Sequence, residues 1–168
     1  MSLSGTVLSQ DVLRCDSSGR CHESRNFRIH EELLNHIDIL PENINIPDAT
    51  VPVSKISDYC KKYDEIASKV DFMVIGMGEK GQLGFNEPGS YEKSRTRLVQ
   101  LSLNSRKTAA SLFSKNEIPT VAITMGLETI LKAKRIVLMA WGENNANVVK
   151  KVVEGEETDM VPASILQQ

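Results

Sequence analysis

The chain has 168 residues, 40% hydrophobic and 25% charged, with a formal net charge of −2. That is enough for one domain with a buried core, in the balance of an ordinary soluble protein. The charge excludes the basic surface of a nucleic-acid binder or an electrostatic membrane anchor, no apolar run reaches the length of a bilayer span, and no basic-then-apolar leader opens the sequence.

Residues 6–13, TVLSQDVL, fit a short strand, and the polar RCDSSGRCHES at 14–24 breaks it as a loop. Cys15, Cys21 and His22 in that loop match no zinc spacing, so no metal site is expected. With Cys60 they make an odd cysteine count without framework spacing, which points to a reduced, cytoplasmic chain. Residues 27–38 place Ile29, Leu33, Leu34 and Ile37 at helical spacing. The proline-rich 41–52 is an irregular connection with a short strand at 43–46. Ser54 is suited to cap the next helix, where Ile56, Tyr59, Cys60, Tyr63, Ile66, Ala67 and Val70 form one apolar stripe.

FMVIGMG at 72–78 is apolar without alternation, the pattern of a parallel strand buried on both faces. RLVQLSL at 97–103 alternates as a strand with one polar face, and 105–113 is helical in composition. A second apolar run, 120–126, leads into a short helix at 127–133, and a third strand occupies 135–142. Residues 144–155 form a helix with Ala146, Val149, Val152 and Val153 inward and Gly155 at its end. Met73, Met77, Met125 and Met139 read as core filler, and Trp141 as a packing residue or a platform for a sugar ring. Strands alternating with helices predict a single α/β domain, a doubly wound, mostly parallel sheet with helices on both faces. In such sheets ligands bind beyond the carboxyl ends of the strands. Three of the strands end in glycine, at Gly76/Gly78, Gly126 and Gly142.

The first of those ends spells G-x-G-x-x-G over residues 76–81. A dinucleotide loop needs a helix to start there, so that N-terminal N–H groups hold the pyrophosphate, and an acid about twenty residues on. Gly81, Gly84, Pro88 and Gly89 forbid that helix, and Arg95 and Arg97 occupy the place of the acid. The dinucleotide reading is rejected, and no cofactor is expected.

GFNEPGS followed by SRTR resembles the glucosamine-6-phosphate deaminase/isomerase family, which includes galactosamine-6-phosphate isomerases. The likeness continues in order through NHIDILPENINIPD (35–48), AITMGLETILKAKRIVLMAWG (122–142, with Glu128 where the family usually has glycine), VVEG (152–155) and PASILQ (162–167). The related 6-phosphogluconolactonases carry Ser-Leu-Phe where this chain has Phe85-Asn86-Glu87-Pro88, which favours the amino-sugar branch. The resemblance divides the chain into a strand and polar loop at 1–23 and the sugar-phosphate isomerase/deaminase-like domain at 24–168. Against the family the chain is short at both ends, lacking the opening βα units with their phosphate-binding turn and part of the tail.

The family reaction opens a sugar ring with an acid/base histidine, moves a proton from C2 to C1 with a carboxylate, and releases ammonia, the phosphate being held by cations and backbone amides. The family's Asp-Gly-His loop core reads Lys80-Gly81-Gln82 here, and glutamine does not cycle a proton near neutral pH. The loop glutamate is kept as Glu87, within Asn86-Glu87-Pro88. The family's phosphate-contacting arginine falls at Ser111 and its lysine at Asn145. Asp11 is the nearest candidate for the C2 base, without the motif's second acid. The expected site is therefore Glu87 and Asp11 as catalytic carboxylates, with Gly78, Lys80, Gln82, Asn86, Ser111 and Asn145 toward the substrate. Lys80 and the pair Arg95 and Arg97 are either anion contacts or solvated surface charges. His22, His30 and His36 fall outside the motif and are read as structural or exposed. The resemblance implies an amino-sugar-6-phosphate isomerase/deaminase of carbohydrate metabolism whose catalysis is impaired here, with a non-catalytic sugar-phosphate-binding or structural domain as the alternative, and self-association is expected through faces that the missing flanking units leave uncovered.

Overall fold

The computed structural model describes residues 6–7, 10–12, 25–48, 50–109 and 120–168. Cys15, Cys21, His22 and Ser111 lie outside them. The elements run β1 (Thr6–Val7), β2 (Gln10–Val12), α1 (Arg25–Glu32), β3 (Ile44–Asn45), α2 (Ile56–Ala67), β4 (Phe72–Gly76), β5 (Arg97–Gln100), α3 (Leu103–Ala109), β6 (Val121–Thr124), α4 (Leu127–Leu131), β7 (Arg135–Met139) and α5 (Ala146–Glu154), with a closing 3₁₀ segment at Pro162–Gln167. The α/β class expected from the alternating elements is what the fold shows. β1 pairs with β3 and β4 with β7 in parallel, while β2, β6 and β5 form an antiparallel sheet in that order, which the sequence pattern did not reveal. None of the described helices is long and apolar enough to cross a membrane.

The main core lies between β4–β7 and the helices α2, α4 and α5 with the closing segment. Tyr63, Ala67, Met73, Ile75, Leu83, Met125, Leu127, Ile130, Val152 and Ile165 are all buried in it. α2 contributes one stripe at 3.6-residue spacing, and its far side is solvated, which is why the helix forms only against the sheet. A second anchor is polar. Asp64 on α2 accepts from the Thr96 N–H at 2.9 Å, from the Thr96 hydroxyl at 2.8 Å and from the Thr129 hydroxyl, tying α2 to the entry of β5 and to α4.

Several local expectations are corrected: α5 buries Val148 and Val152 while Ala146 and Val153 are exposed, and Ile66 of the α2 stripe is exposed. Ser54 is not the cap of α2: a 3₁₀ turn at Val53–Lys55 precedes the helix, and no side chain caps it. β4 is not buried on both faces. Burial alternates along it, with Met73 and Ile75 inward and Phe72 and Val74 outward. Met139 is 39% exposed and so is not core filler, and Trp141 is 71% exposed and does not pack in the core.

Candidate functional site at the end of β4

β4 feeds directly into a loop, residues 77–90, that forms no helix before β5 begins at Arg97. The loop is folded on itself. The Met77 N–H donates to Met139 O at 3.0 Å, fixing the loop's start to the end of β7. The Gly78 N–H donates to Gln82 O at 3.0 Å, and the Gly81 N–H donates to Gly78 O at 2.9 Å. The Gln82 side chain lies over Gly78, where a Cβ would come within 2.3 Å of its amide, and its Oε1 accepts from the Lys80 N–H at 3.0 Å. A side chain at Gly78 would displace the flexible end of Gln82 from this position. Gly81 sits at φ +73°, a conformation other residues adopt at a cost, and its carbonyl accepts from the Ala163 N–H at 2.8 Å.

Beyond this turn the chain is nailed to β6. Asn86 is wholly buried: its Nδ2 donates to Leu83 O at 2.9 Å and to Met125 O at 2.7 Å, and its Oδ1 accepts from Arg97 Nη1 at 2.9 Å. The Phe85 N–H donates to the Thr124 hydroxyl at 3.2 Å. Asn86 therefore spends both donors and its acceptor inside the protein, and it positions the loop instead of facing a ligand. Arg97 is its partner, not a surface anion contact, and burial pushes its guanidinium below the ordinary value. Arg95 is exposed and pairs with Glu128 at 3.3 Å.

Glu87 points to the start of α3. One carboxylate oxygen accepts from the Ser102 hydroxyl at 2.8 Å, from the Ser105 hydroxyl and, at 3.4 Å, from the Ser102 N–H. Ser102 in turn accepts from the Ser105 N–H at 3.2 Å, so the pair forms a cap closed by a carboxylate from another segment. The sequence reading missed both serines. The only signal for them was a Ser-x-x-Ser spacing at the start of a helical run, which looks like an ordinary cap.

The other expected residues divide. Lys80 and Glu79 are exposed, and among the described residues no ion pair engages Lys80. Asn145 lies where the turn after β7 meets α5, next to Gly142 at φ +89°. Its Nδ2 donates to Trp141 O at 2.8 Å, and its buried Oδ1 has no partner among the described residues. Gly78, Lys80, Gln82 and Asn145 thus all belong to the loops that follow β4 and β7, and a hydrogen bond from Met77 joins those strand ends. Asp11 belongs to β2, its backbone paired with Ile123 of β6. His30 is half-buried, and His36 is exposed with its Nε2 at 2.9 Å from Glu31 O.

This is an α/β domain with a glycine-rich loop at the end of β4, the place where α/β domains generally put their ligands, and the loop is tied by Asn86 to the end of β6. The sequence profile of the glucosamine-6-phosphate isomerases/6-phosphogluconolactonase family matches residues 19–168, and the chain belongs to that family. It is 40% identical over 152 residues to glucosamine-6-phosphate deaminase 2 of Bacillus subtilis, an alignment that takes in 87% of this chain and 60% of the other. It is 41% identical over 141 residues to the glucosamine-6-phosphate deaminase of Clostridium novyi, covering 82% of this chain and 58% of that one. The chain thus spans about 60% of the length of these relatives. A solved structure of a monomeric glucosamine-6-phosphate deaminase superposes with a TM-score of 0.89 at 32% identity, over 97% of this chain and 68% of that one. The 6-phosphogluconolactonase of Thermotoga maritima, with a TM-score of 0.68 at 18% identity, shares the fold.

Proposed function

We propose that this chain is an amino-sugar-6-phosphate-binding protein of carbohydrate metabolism in which the deaminase/isomerase chemistry is impaired. The observation that carries the reading is the closed turn at Gly78–Gln82. A carboxamide, already accepting from the Lys80 N–H, fills the place where the family resemblance puts the ring-opening histidine. It offers no proton to transfer near neutral pH. Glu87, the carboxylate kept from the motif, is held by two serine hydroxyls at the head of α3. Ser111 and Asn145 carry no charge where the family has phosphate-binding cations, which removes much of the positioning on which the rate depends.

Binding of a sugar phosphate is supported by the exposed Lys80, a cation that no ion pair engages among the described residues, in the loop after β4. Relatives about 40% identical are named glucosamine-6-phosphate deaminases, which favours glucosamine-6-phosphate over a lactone. A cytoplasmic setting accords with Cys60, a buried free thiol raised above its ordinary pKa by burial and then by the nearby Asp64. The test is turnover of glucosamine-6-phosphate and galactosamine-6-phosphate, with ammonia and ketose phosphate both followed and Glu87→Gln as the control. The expected result is no turnover above the control, together with a rise in melting temperature on adding either sugar phosphate. Turnover that the control loses would overturn the impaired reading. No thermal shift with any amino- or neutral-sugar phosphate would overturn the binding reading and leave a structural role.

A further inference from the structure

The turn at the end of β4 is closed twice, once by its backbone and once by a side chain. The Gly78 N–H on Gln82 O, the Gly81 N–H on Gly78 O and the Ala163 N–H on Gly81 O hold the backbone at 2.8–3.0 Å. None of these bonds involves the Gln82 side chain, which folds back over the turn. Atoms of its carboxamide lie 2.3–2.8 Å from where a Cβ of Gly78 would stand, so the amide fills the space that the glycine leaves. Among the described residues a single hydrogen bond holds it there: Oε1 accepts from the Lys80 N–H at 3.0 Å.

We propose that the Gln82 carboxamide is a latch over a latent anion site, and that a phosphate group opens it by taking the carboxamide's place on the Lys80 N–H. The inference deepens the sugar-phosphate reading above and rests on it for the identity of the ligand. Lys80 carries two donors. Its backbone N–H is occupied by the carboxamide oxygen, and its ammonium is exposed, with no ion pair engaging it among the described residues. A backbone N–H together with an ammonium suits an anionic oxygen, and hydrogen bonds to ionised groups are roughly twice as strong as neutral ones. The carboxamide oxygen is a neutral acceptor, so a phosphate oxygen outcompetes it for the Lys80 N–H. Once the amide swings out, Gly78 has no side chain to refill the space. Opening breaks one neutral hydrogen bond and returns rotamer freedom to the glutamine. The backbone bonds of the turn stay in place. Glu79 on the same turn is exposed, and its charge opposes an anion in parent and Gln82 variants alike, so it drops out of a comparison between them. A ligand that must displace the latch binds more weakly in proportion to the time the site is closed. One net neutral hydrogen bond corresponds to a factor of roughly 2 to 12 in affinity.

The test uses the 168-residue chain. Inorganic phosphate and, separately, glucosamine-6-phosphate are titrated while the Lys80 amide resonance is followed by heteronuclear NMR. The expected result is that this resonance moves with phosphate, and that Gln82→Ala and Gln82→Ser bind phosphate about threefold or more tighter than the parent. Gln82→Glu keeps an oxygen on the Lys80 N–H and gives it a charge, so it should bind phosphate more weakly than the parent. Lys80→Ala in the Gln82→Ala background should abolish the gain. Should Gln82→Ala not fold, Gln82→Ser and Gln82→Glu carry the test, because a latch requires them to move affinity in opposite directions. Gln82→Ala or Gln82→Ser binding phosphate no tighter than the parent overturns the latch, even where the parent binds glucosamine-6-phosphate and the functional reading stands. A parent that binds no sugar phosphate overturns the functional reading instead. Tighter binding of inorganic phosphate by Gln82→Ala would then still support the latch, and no binding by that variant would overturn it.

Discussion

Asn86 Oδ1 accepts a hydrogen bond from Arg97 Nη1 at 2.9 Å, and the amide that carries it is fully buried. This one side chain joins three things: the loop through Leu83 O, the end of β6 through Met125 O, and the first residue of β5. Removing it leaves Met125 O with only the longer bond from the Thr124 hydroxyl and the half-buried guanidinium with only Arg95 O, while Leu83 O keeps the Asn86 N–H. Each buried group left unsatisfied costs about 1–3 kcal/mol, more when it is charged. Asn86→Ala is therefore expected to lower unfolding free energy by about 3 kcal/mol in urea titration. Asn86→Asp keeps the Arg97 contact but sets a carboxylate against two carbonyl oxygens, and it is expected to be no better tolerated.

Glu87 behaves differently, because among the described residues one of its oxygens is engaged and that oxygen only accepts. Glu87→Gln preserves an acceptor at the same place and is expected to change stability by less than about 1 kcal/mol, the size of one neutral hydrogen bond. Glu87→Ala leaves the Ser102 N–H and two hydroxyls to find water and is expected to cost about 1–3 kcal/mol. A cycle of Glu87→Ala with Ser102→Ala, read by chemical denaturation, should show the two effects to be strongly non-additive. Additivity would mean that the carboxylate and the serine do not act together.

Asp64 is the buried charge that sets the acid limit of the fold. Burial pushes its pKa up, but the bonds from Thr129 and Thr96, with the Lys132 charge adding, outweigh it and hold the carboxyl below its ordinary value. A carboxylate whose folded pKa is depressed contributes stability above its unfolded pKa of about 4, and the contribution is lost as pH falls through the folded value. Asp64→Asn retains an oxygen for the threonines but cannot titrate. The parent's unfolding free energy should fall steeply below about pH 4, and the variant's curve should be lower near neutrality and flatter across that window.

These contacts show what the sequence could and could not reveal. The stripe on α2 was legible because helical burial follows composition at fixed spacing, and Ile56, Cys60, Tyr63 and Ala67 are indeed buried. The loop was legible as non-helical because Gly81 and Pro88 constrain the backbone locally. The direction of β5 against β6 was not, since residues 101–120 between them carry no signal of which way the chain returns. FMVIG reads the same whether one face or two are covered, and only the neighbours decide. Asn86 was placed toward the substrate because it stands in the family's Asn-Glu-Pro motif beside Glu87. Its role depends on Met125 and Arg97, 39 and 11 residues away. Asp64 gave no signal either, being one more polar residue on an amphipathic helix until Thr96 and Thr129 close on it.

The impaired reading makes a last prediction in the opposite direction. If the losses lie at Lys80, Gln82, Ser111 and Asn145, restoring the family's groups should recover chemistry. Gln82→His puts an imidazole where a side chain of similar length already lies over Gly78. Lys80→Asp supplies the neighbouring carboxylate, and general acid–base catalysis is worth roughly 10²–10⁴-fold where geometry allows. Those two changes alone should leave turnover at the Glu87→Gln level, because nothing yet holds the phosphate. Adding Ser111→Arg and Asn145→Lys should raise ammonia release from glucosamine-6-phosphate at least tenfold above the parent, and Glu87→Gln in that background should abolish the gain. A four-residue variant that binds sugar phosphate more tightly yet stays silent would place the remaining defect at the C2 base, and Asp11 on β2 would then not serve as one.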